Sequence, residues 1–156
     1  MIPKIIGSAL VLSVALTLSM IKNRRIDEKI SQLSSLCALI SFFRLQIDLY
    51  CAPIGEIFKR ADKDVVLRCR FRKDPLTADA FTDIDTCLSS DVISLLSSFA
   101  SELGGSYRDE QLKSCDYHLA KLKERLSRLE KDAPNEKKLN TVLFLSAATG
   151  IIILFI

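Results

Sequence analysis

The sequence predicts an all-α protein, a membrane-anchored antiparallel helical bundle. Two observations carry this prediction: an uncharged apolar run near each end of the chain, and apolar residues spaced three and four apart between those runs. Apolar residues at this spacing lie along one face of an α-helix. The one candidate strand, at residues 65–67, is too short to imply a sheet. We therefore expect helices throughout.

Residues 5–21 contain no ionisable side chain and predict the first membrane-spanning helix. A helix of that length extends roughly 25 Å, which is at the short limit for a hydrocarbon core of about 30 Å. A signal peptide is the alternative, but its apolar region is normally shorter and is followed by a small-x-small cleavage site. No good site of that kind follows here, so we expect an uncleaved anchor.

Residues 139–156 are also uncharged, rich in Leu, Ile and Phe, and predict the second span. A buried core helix is the alternative, but a chain of 156 residues is too small to surround such a helix completely. Residues 22–138 then form the domain between the spans. Small residues four apart predict faces on which the spans pack against each other or against another membrane protein: Ala9, Ser13 and Thr17 in the first span, and Ser146 and Gly150 in the second.

Flanking charges predict the topology. The positive-inside rule places residues 22–138 in the cytoplasm and both termini across the membrane. The basic residues beside the domain outnumber Lys4 on the far side; they are Lys22, Arg24, Arg25, Lys137 and Lys138. All 19 acidic residues and 21 of the 22 Lys and Arg residues lie in 22–138, so this domain is almost neutral. A nucleic-acid-binding domain would carry a basic surplus with interleaved aromatic residues, and we exclude that class.

The first anchor is expected to continue into the domain as one long helix, because no Gly or Pro lies between Gly7 and Pro53. Arg44 interrupts an otherwise apolar face. The apolar positions of that face are Ile26, Ile30, Leu33, Cys37, Ile40, Ile47, Cys51 and Ile54. Such a face requires another helix against which to pack.

A second long helix is expected to begin after the Gly104–Gly105 break, where Ser106 and Asp109 resemble a capping box. Pro134 is expected to end or kink it. Its heptad positions are Leu112, Cys115, Leu119, Leu122, Leu126 and Leu129. The two long helices should run antiparallel, since both return to the same membrane. Shorter helices are predicted at 54–61, 78–88 and 91–103, the last capped by Ser89 or Ser90.

Catalytic and metal-binding motifs are absent from the sequence. It has no Gly-rich phosphate loop, no His-Glu-x-x-His and no Gly-x-Ser-x-Gly. His118 is the single histidine and is expected to be solvated. Five widely spaced cysteines without a Cys-x-x-Cys are expected to be reduced, half-buried apolar side chains. We therefore predict a non-enzymatic protein without a metal, a cofactor or a small-molecule substrate.

A basic cluster at 68–73 is the strongest candidate for a binding surface. It consists of Arg68, Arg70, Arg72 and Lys73, four like charges within six residues. Such a cluster suits an acidic protein partner or anionic lipid head groups. An ordinary solvated loop near the membrane is the alternative.

The turn at residues 103–111 reads Leu-Gly-Gly-Ser-Tyr-Arg-Asp-Glu-Gln and is followed by the Leu heptads and an apolar run. This layout resembles the stage III sporulation protein AB family, whose turn is Leu-Gly-x-Ser-Asp-x-x-x-Gln. The motif residues matched here are Leu103, Gly104, Ser106 and Gln111. Tyr107 stands where the family usually has Asp, Phe81 where a Trp is expected, and a break at Pro134 is unusual there.

The resemblance implies a membrane platform in the assembly between mother cell and forespore of endospore-forming bacteria. Its helical domain would be similar to that of the inner-membrane platform proteins of type II secretion and type IV pilus systems. In the mother-cell cytoplasm it would couple an ATPase, stage III sporulation protein AA, to a channel. A membrane sensor that signals through its paired helices is the alternative, but residues 1–4 leave little sequence for a sensor beyond the first span.

Overall fold

The structure is a computed structural model that describes residues 2–72, 75–85, 88–105 and 107–155. Its elements are five α-helices and one short 3₁₀ helix: α1 Ile2–Tyr50, α2 Ile54–Arg60, α3 Lys63–Cys69, the 3₁₀ helix Ala78–Phe81, α4 Ser90–Glu102 and α5 Arg108–Phe155. The described residues contain one isolated β-bridge and no named strand. The all-α prediction is confirmed, whereas the likeness to a secretion platform domain stays a prediction.

The chain divides into two compact units, to which both long helices contribute. The first comprises residues 1–28 and 130–156 and is called the helix pair below. The second comprises residues 29–129 and is called the bundle. The sequence-based boundaries at 22 and 138 mark the ends of the uncharged runs and stay predictions.

The helix pair leaves most of its large apolar side chains exposed. On α1 the exposed ones are Leu10, Leu12, Val14, Leu16, Leu18, Met20 and Ile21. On α5 they are Leu139, Val142, Leu143, Leu145, Ile151, Ile153 and Leu154. Each long helix also contains a window that is long and apolar enough to cross a membrane. An apolar surface of this extent is typical of a protein that sits in lipid rather than water.

Small and polar side chains occupy the contact within the helix pair. Ala15 and Ser19 of α1 and Ala148 of α5 are buried. The hydroxyls of Ser19 and Thr141 lie 3.1 Å apart, and the side-chain amide of Asn23 donates to the Thr141 hydroxyl at 3.4 Å. The predicted small-residue faces lie elsewhere: Ala9, Ser13, Thr17, Ser146 and Gly150 are all exposed. The two helices therefore pair through a different face, and packing of the predicted faces against another membrane protein stays a prediction.

The bundle encloses the apolar faces of both long helices. The core cluster takes from α1 the residues Leu33, Leu36, Cys37, Leu39, Ile40, Phe43 and Ile47, and from α5 the residues Cys115, Leu119 and Leu122. Phe81 lies at its centre, with ring centroids 5.1–5.8 Å from those of Phe43, Phe58, Phe71 and Phe99. Cys51 was expected on the buried face but is exposed, because α1 ends at Tyr50 and Cys51 has left the helix with φ of 46°.

Two local predictions were wrong, and a third was wrong in part. Residues 65–67 belong to helix α3, which Asp62 caps by accepting a hydrogen bond from the Asp64 N–H at 2.9 Å. The predicted helix at 78–88 is reduced to one 3₁₀ turn, because Ile84 instead forms the antiparallel bridge to Phe71. Pro134 lies inside α5 and does not end it, while the alternative of a kink stays a prediction. Proline removes one backbone hydrogen bond, and the helix continues on either side of it.

The helix starts agree with the predictions only in part. Ser89 occupies the N-cap position of α4, as predicted, but makes no side-chain cap hydrogen bond. The α5 helix begins at Arg108, and the Tyr107 carbonyl accepts hydrogen bonds from the N–H groups of Glu110 and Gln111. The N-cap position is thus Tyr107. The predicted cap, Ser106, lies outside the described residues.

Candidate functional site

The turn between α4 and α5 depends on a glycine. Gly104 has φ of 88°, a conformation that residues with a side chain rarely adopt. A Cβ at this position would also lie 2.8 Å from the Cδ1 atom of Ile54 at the start of α2. Leu103, before it, is buried and donates its N–H to the Phe99 carbonyl at 3.0 Å. The turn therefore fixes where α5 begins against the junction of α1 and α2.

Two ion pairs join α1 to α5 within the bundle. Arg108 donates from Nη2 to both the backbone carbonyl of Asp48, at 2.7 Å, and the carboxylate of Asp48. Arg44 makes a two-pronged contact with the Asp116 carboxylate through Nε and Nη2. That hydrogen bond raises the pKa of Arg44 above its usual value. Arg44, which interrupted the apolar face in the sequence, thus has its own partner on α5.

A cleft of about 410 Å³ lies beside this turn. It is lined by Ile47, Cys51, Ala52, Pro53, Ile54, Gly104, Arg108 and Gln111. Gly104 and Gln111 of the sequence motif therefore line the same cleft, and Leu103, next to Gly104 in the chain, is buried. The lining residues offer apolar surface, one guanidinium, one amide and the Cys51 thiol.

The basic cluster lies on a segment whose backbone is fixed. The Arg72 N–H donates to the Asp83 carbonyl at 3.0 Å, and the Asp85 N–H donates to the Arg70 carbonyl at 2.9 Å. The buried Gln32 side chain donates from Nε2 to the carbonyls of Cys69 and Asp85, each at 3.0 Å. Backbone contacts therefore hold this segment on the bundle.

The three described side chains of the basic cluster are exposed. Arg68, in the last turn of α3, and Arg70 and Arg72 are all exposed. Arg70 has φ of 59° and ends α3 in the left-handed conformation. Arg72 lies 3.9 Å from the Asp83 carboxylate, beyond hydrogen-bonding distance. Lys73, the fourth residue of the predicted cluster, lies outside the described residues. Three guanidinium groups are thus presented on a rigid backbone.

The prediction that His118 is solvated was wrong. Its side chain is 1% exposed and packs on the rings of Phe99 and Tyr117. Its Nε2 lies 3.2 Å from Glu102, whose carboxylate also accepts from Ser114 at 2.6 Å and from Ser98 at 3.2 Å. These contacts, with that of Ser114 first, lower the pKa of Glu102. The group connects α4 to α5.

The cysteines behave largely as expected of small apolar side chains. Burial raises the pKa of the Cys37 and Cys115 thiols to about 11 and that of Cys69 to about 12, so all three stay protonated at neutral pH. Cys51 is free and exposed, and Cys87 lies outside the described residues. Within the described part of the chain, no three His, Cys, Asp or Glu side chains are grouped so as to hold a metal ion.

The family profile of stage III sporulation protein AB matches residues 77–156, just over half of the chain. The chain belongs to this family. The match includes the Gly104 turn and all of α4 and α5, whereas α1 and the basic cluster lie before it. No curated protein and no solved structure matches the chain. Membership of this family identifies a sporulation-related protein.

The family departures have distinct structural positions. Phe81, where a Trp was expected, lies in the middle of the aromatic cluster. Tyr107 is exposed at the N-cap position of α5, where the usual Asp of the family would supply a capping carboxylate. Sequence reasoning missed the Arg108–Asp48 pair, although an Asp and an Arg at the facing ends of two antiparallel helices were a usable signal.

Proposed function

We propose that this sporulation protein is a non-enzymatic membrane platform. The helix pair anchors it in the membrane, and the bundle lies in the mother-cell cytoplasm. There it seats the ATPase, stage III sporulation protein AA, and couples it to the channel between mother cell and forespore. The platform role and the partner come from the family resemblance given above.

The observation that carries the proposal is the fixed basic segment. Arg68, Arg70 and Arg72 extend from a backbone that is hydrogen-bonded to the bundle, so their geometry is set before a partner arrives. Guanidinium groups complement carboxylates in charge and geometry. The Arg72–Asp83 contact, at 3.9 Å between two exposed groups, contributes little to the stability of the fold.

The test compares three charge-neutralising substitutions with a matched control. The full chain in lipid nanodiscs would carry Arg68→Gln, Arg70→Gln and Arg72→Gln together. The control would carry Lys59→Gln, Lys113→Gln and Lys121→Gln, three exposed lysines elsewhere in the bundle. Binding of the purified ATPase should weaken by about tenfold in the arginine variant and much less in the control, and the difference should shrink at high salt.

The proposal fails if both variants bind the ATPase as well as the native chain does. It also fails if the native chain does not bind the ATPase at all. Binding of the bundle to protein-free anionic vesicles that is lost in the arginine variant would instead assign the cluster to lipid head groups. Circular dichroism of each variant should show unchanged helix content, since the substituted side chains are exposed.

A further inference from the structure

A second cavity adjoins the basic segment. Its volume is about 260 Å³, and it is lined by Arg72, Phe81, Thr82, Ile84, Ile93 and Leu96. Phe81, Ile84 and Leu96 are buried core residues, so the lining they supply is apolar and belongs to the fixed part of the bundle. Thr82, Ile93 and Arg72 are exposed. The cavity thus combines an apolar interior with a guanidinium at its edge.

Ile93 is the exception on an otherwise polar surface. It is 42% exposed. The remaining exposed positions of α4 carry Ser, Asp or Glu; they are Ser90, Asp91, Ser94, Ser97, Ser98, Ser101 and Glu102. The one large apolar side chain exposed on this helix therefore lies at the cavity, where it extends the apolar lining towards solvent.

Charge and apolar surface meet at Arg72. It lines the cavity and is also a member of the basic cluster with Arg68 and Arg70. A partner that inserts an apolar side chain here would place its neighbouring residues beside exposed guanidinium groups. Carboxylates are the groups that complement guanidinium in charge and geometry.

We propose that this cavity and the basic cluster form one docking site for an acidic segment of a protein partner. One aliphatic side chain of that segment enters the cavity between Ile93 and Leu96. Its flanking carboxylates pair with Arg68, Arg70 and Arg72. This inference rests on the proposed function and specifies the chemistry of the partner's binding segment. Anchor residues buried in well-packed pockets supply most of the binding energy at protein interfaces.

The experiment uses two labelled synthetic peptides, both rich in Asp and Glu, that differ only in a central Leu or Ser. Their affinities are measured for the full chain in nanodiscs. The Leu peptide should bind about fivefold more tightly than the Ser peptide. Ile93→Ser should abolish this difference, while Leu45→Ser, a similarly exposed position on α1, should leave it intact. Thr82→Leu, which fills the cavity from its edge, should act like Ile93→Ser.

Measurements at high salt distinguish the contribution of the apolar cavity from that of the arginines. The difference between the Leu and Ser peptides should persist at high salt, because apolar burial is not screened. The contribution of the arginines should decrease under the same conditions. Equal affinity of both peptides for the native chain would overturn the inference, as would preservation of the Leu preference in both cavity variants.

Failure of the docking-site inference can be distinguished from failure of the proposed function. If the arginine variant loses the ATPase while Ile93→Ser and Thr82→Leu keep both ATPase binding and the Leu preference, the platform stands and the cavity plays no part. If Ile93→Ser weakens binding to anionic vesicles instead of peptides, the occupant is lipid and the inference is wrong. If the Leu preference depends on Ile93 but the ATPase does not bind, the site holds and its partner is another acidic protein.

Discussion

Both long helices contribute to the helix pair and to the bundle. Their large apolar side chains are mostly exposed in the pair and mostly buried in the bundle. Between residues 10 and 21, most large apolar side chains of α1 are exposed. Between residues 33 and 47, most of those on the same helix are buried. Small and hydroxyl side chains make the helix contact in the pair, whereas large aliphatic and aromatic residues fill the bundle. Each pattern suits a different solvent, lipid for the pair and water for the bundle.

The two regions also differ in their polar contacts. In the helix pair, hydroxyl and amide contacts around Ser19, Asn23 and Thr141 accompany the ion pair of Asp27 with Lys137. The bundle connects α1 to α5 by the ion pairs of Arg44 and Arg108 at its surface. Neutral hydrogen bonds avoid the cost of placing charge near hydrocarbon, while surface ion pairs in water specify the pairing of helices at little cost. Substitutions in the two regions should therefore have unequal effects.

The largest expected effect is at the centre of the bundle. Phe81→Ala should lower the free energy of unfolding of the bundle by about 3–5 kcal/mol, because it removes a buried ring and leaves a cavity among four aromatic neighbours. The matched change in the helix pair, Leu16→Ala, should leave that free energy almost unchanged, since Leu16 is 45% exposed. Chemical denaturation of the full chain in nanodiscs, followed by circular dichroism, measures both. Equal losses would contradict the division into two regions.

The next effect concerns the turn. Gly104→Ala should destabilise the bundle by about 1–3 kcal/mol, because Ala disfavours φ of 88° and its Cβ would crowd Ile54. Gly105→Ala is the control, because a Cβ there meets nothing within 4 Å. Thermal unfolding of the two variants gives the comparison. If the control is as destabilising as Gly104→Ala, the positive φ is not the reason for this glycine.

A smaller, pH-dependent effect is expected at Glu102. Its pKa is lowered in the folded bundle, first by the Ser114 hydrogen bond, so the stabilisation is present above the usual value of 4.5 and is lost as pH falls through the folded pKa. Ser114→Ala should cost roughly 1 kcal/mol or less at pH 7, since Glu102 is 46% exposed. Urea denaturation at neutral and acidic pH tests this. A penalty that grows in acid would reverse the predicted sign.

The smallest effect is in the helix pair. Thr141→Val should weaken the contact with Ser19 and Asn23 by about 0.6 kcal/mol, the average for hydrogen bonds between membrane helices. Thr149→Val is the control, because that exposed hydroxyl bonds only within its own helix, to the Leu145 carbonyl at 2.9 Å. Hydrogen exchange of the amides near Ser19 should speed up in the first variant alone. Equal exchange in both variants would show that the hydroxyl contact does not hold the pair.

The sequence predicted the long helices and their buried faces well, because helical periodicity over many turns reflects packing directly. The Leu112–Leu129 heptads and most of the apolar positions of α1 lie in or against the core. Predictions from local sequence were wrong where tertiary contacts determine the structure. The Phe71–Ile84 bridge takes the place of a helix after Phe81, and His118 is buried because α4 covers it through Glu102 and Phe99. Pro134 was expected to end or kink α5, but the helix continues through it from Arg108 to Phe155.

Some parts of the candidate site could be predicted from the sequence, and others needed the structure. The basic cluster was visible in the sequence as a run of like charges, and the Gly104 turn was visible as a motif. The reason for Gly104 depends on Ile54, which is 50 positions away along the chain, and so needed the structure. The cavity beside Arg72 draws on three separate segments, and Ile93 in the sequence looked like any other apolar residue of an amphipathic helix. Residues that come together in space from separate segments leave no periodic pattern in the sequence.

Removal of residues 1–21 and 139–156, which include the two uncharged runs, tests the central claim most directly. The fragment 22–138 should remain in solution without detergent, give a helical circular dichroism spectrum and melt cooperatively. The full chain should stay with the membrane through alkaline carbonate and high salt, and be released by detergent alone. Release of the full chain by carbonate would contradict the account, because it would place the exposed leucines of α1 and α5 in water. So would a fragment that needs detergent or melts without cooperativity.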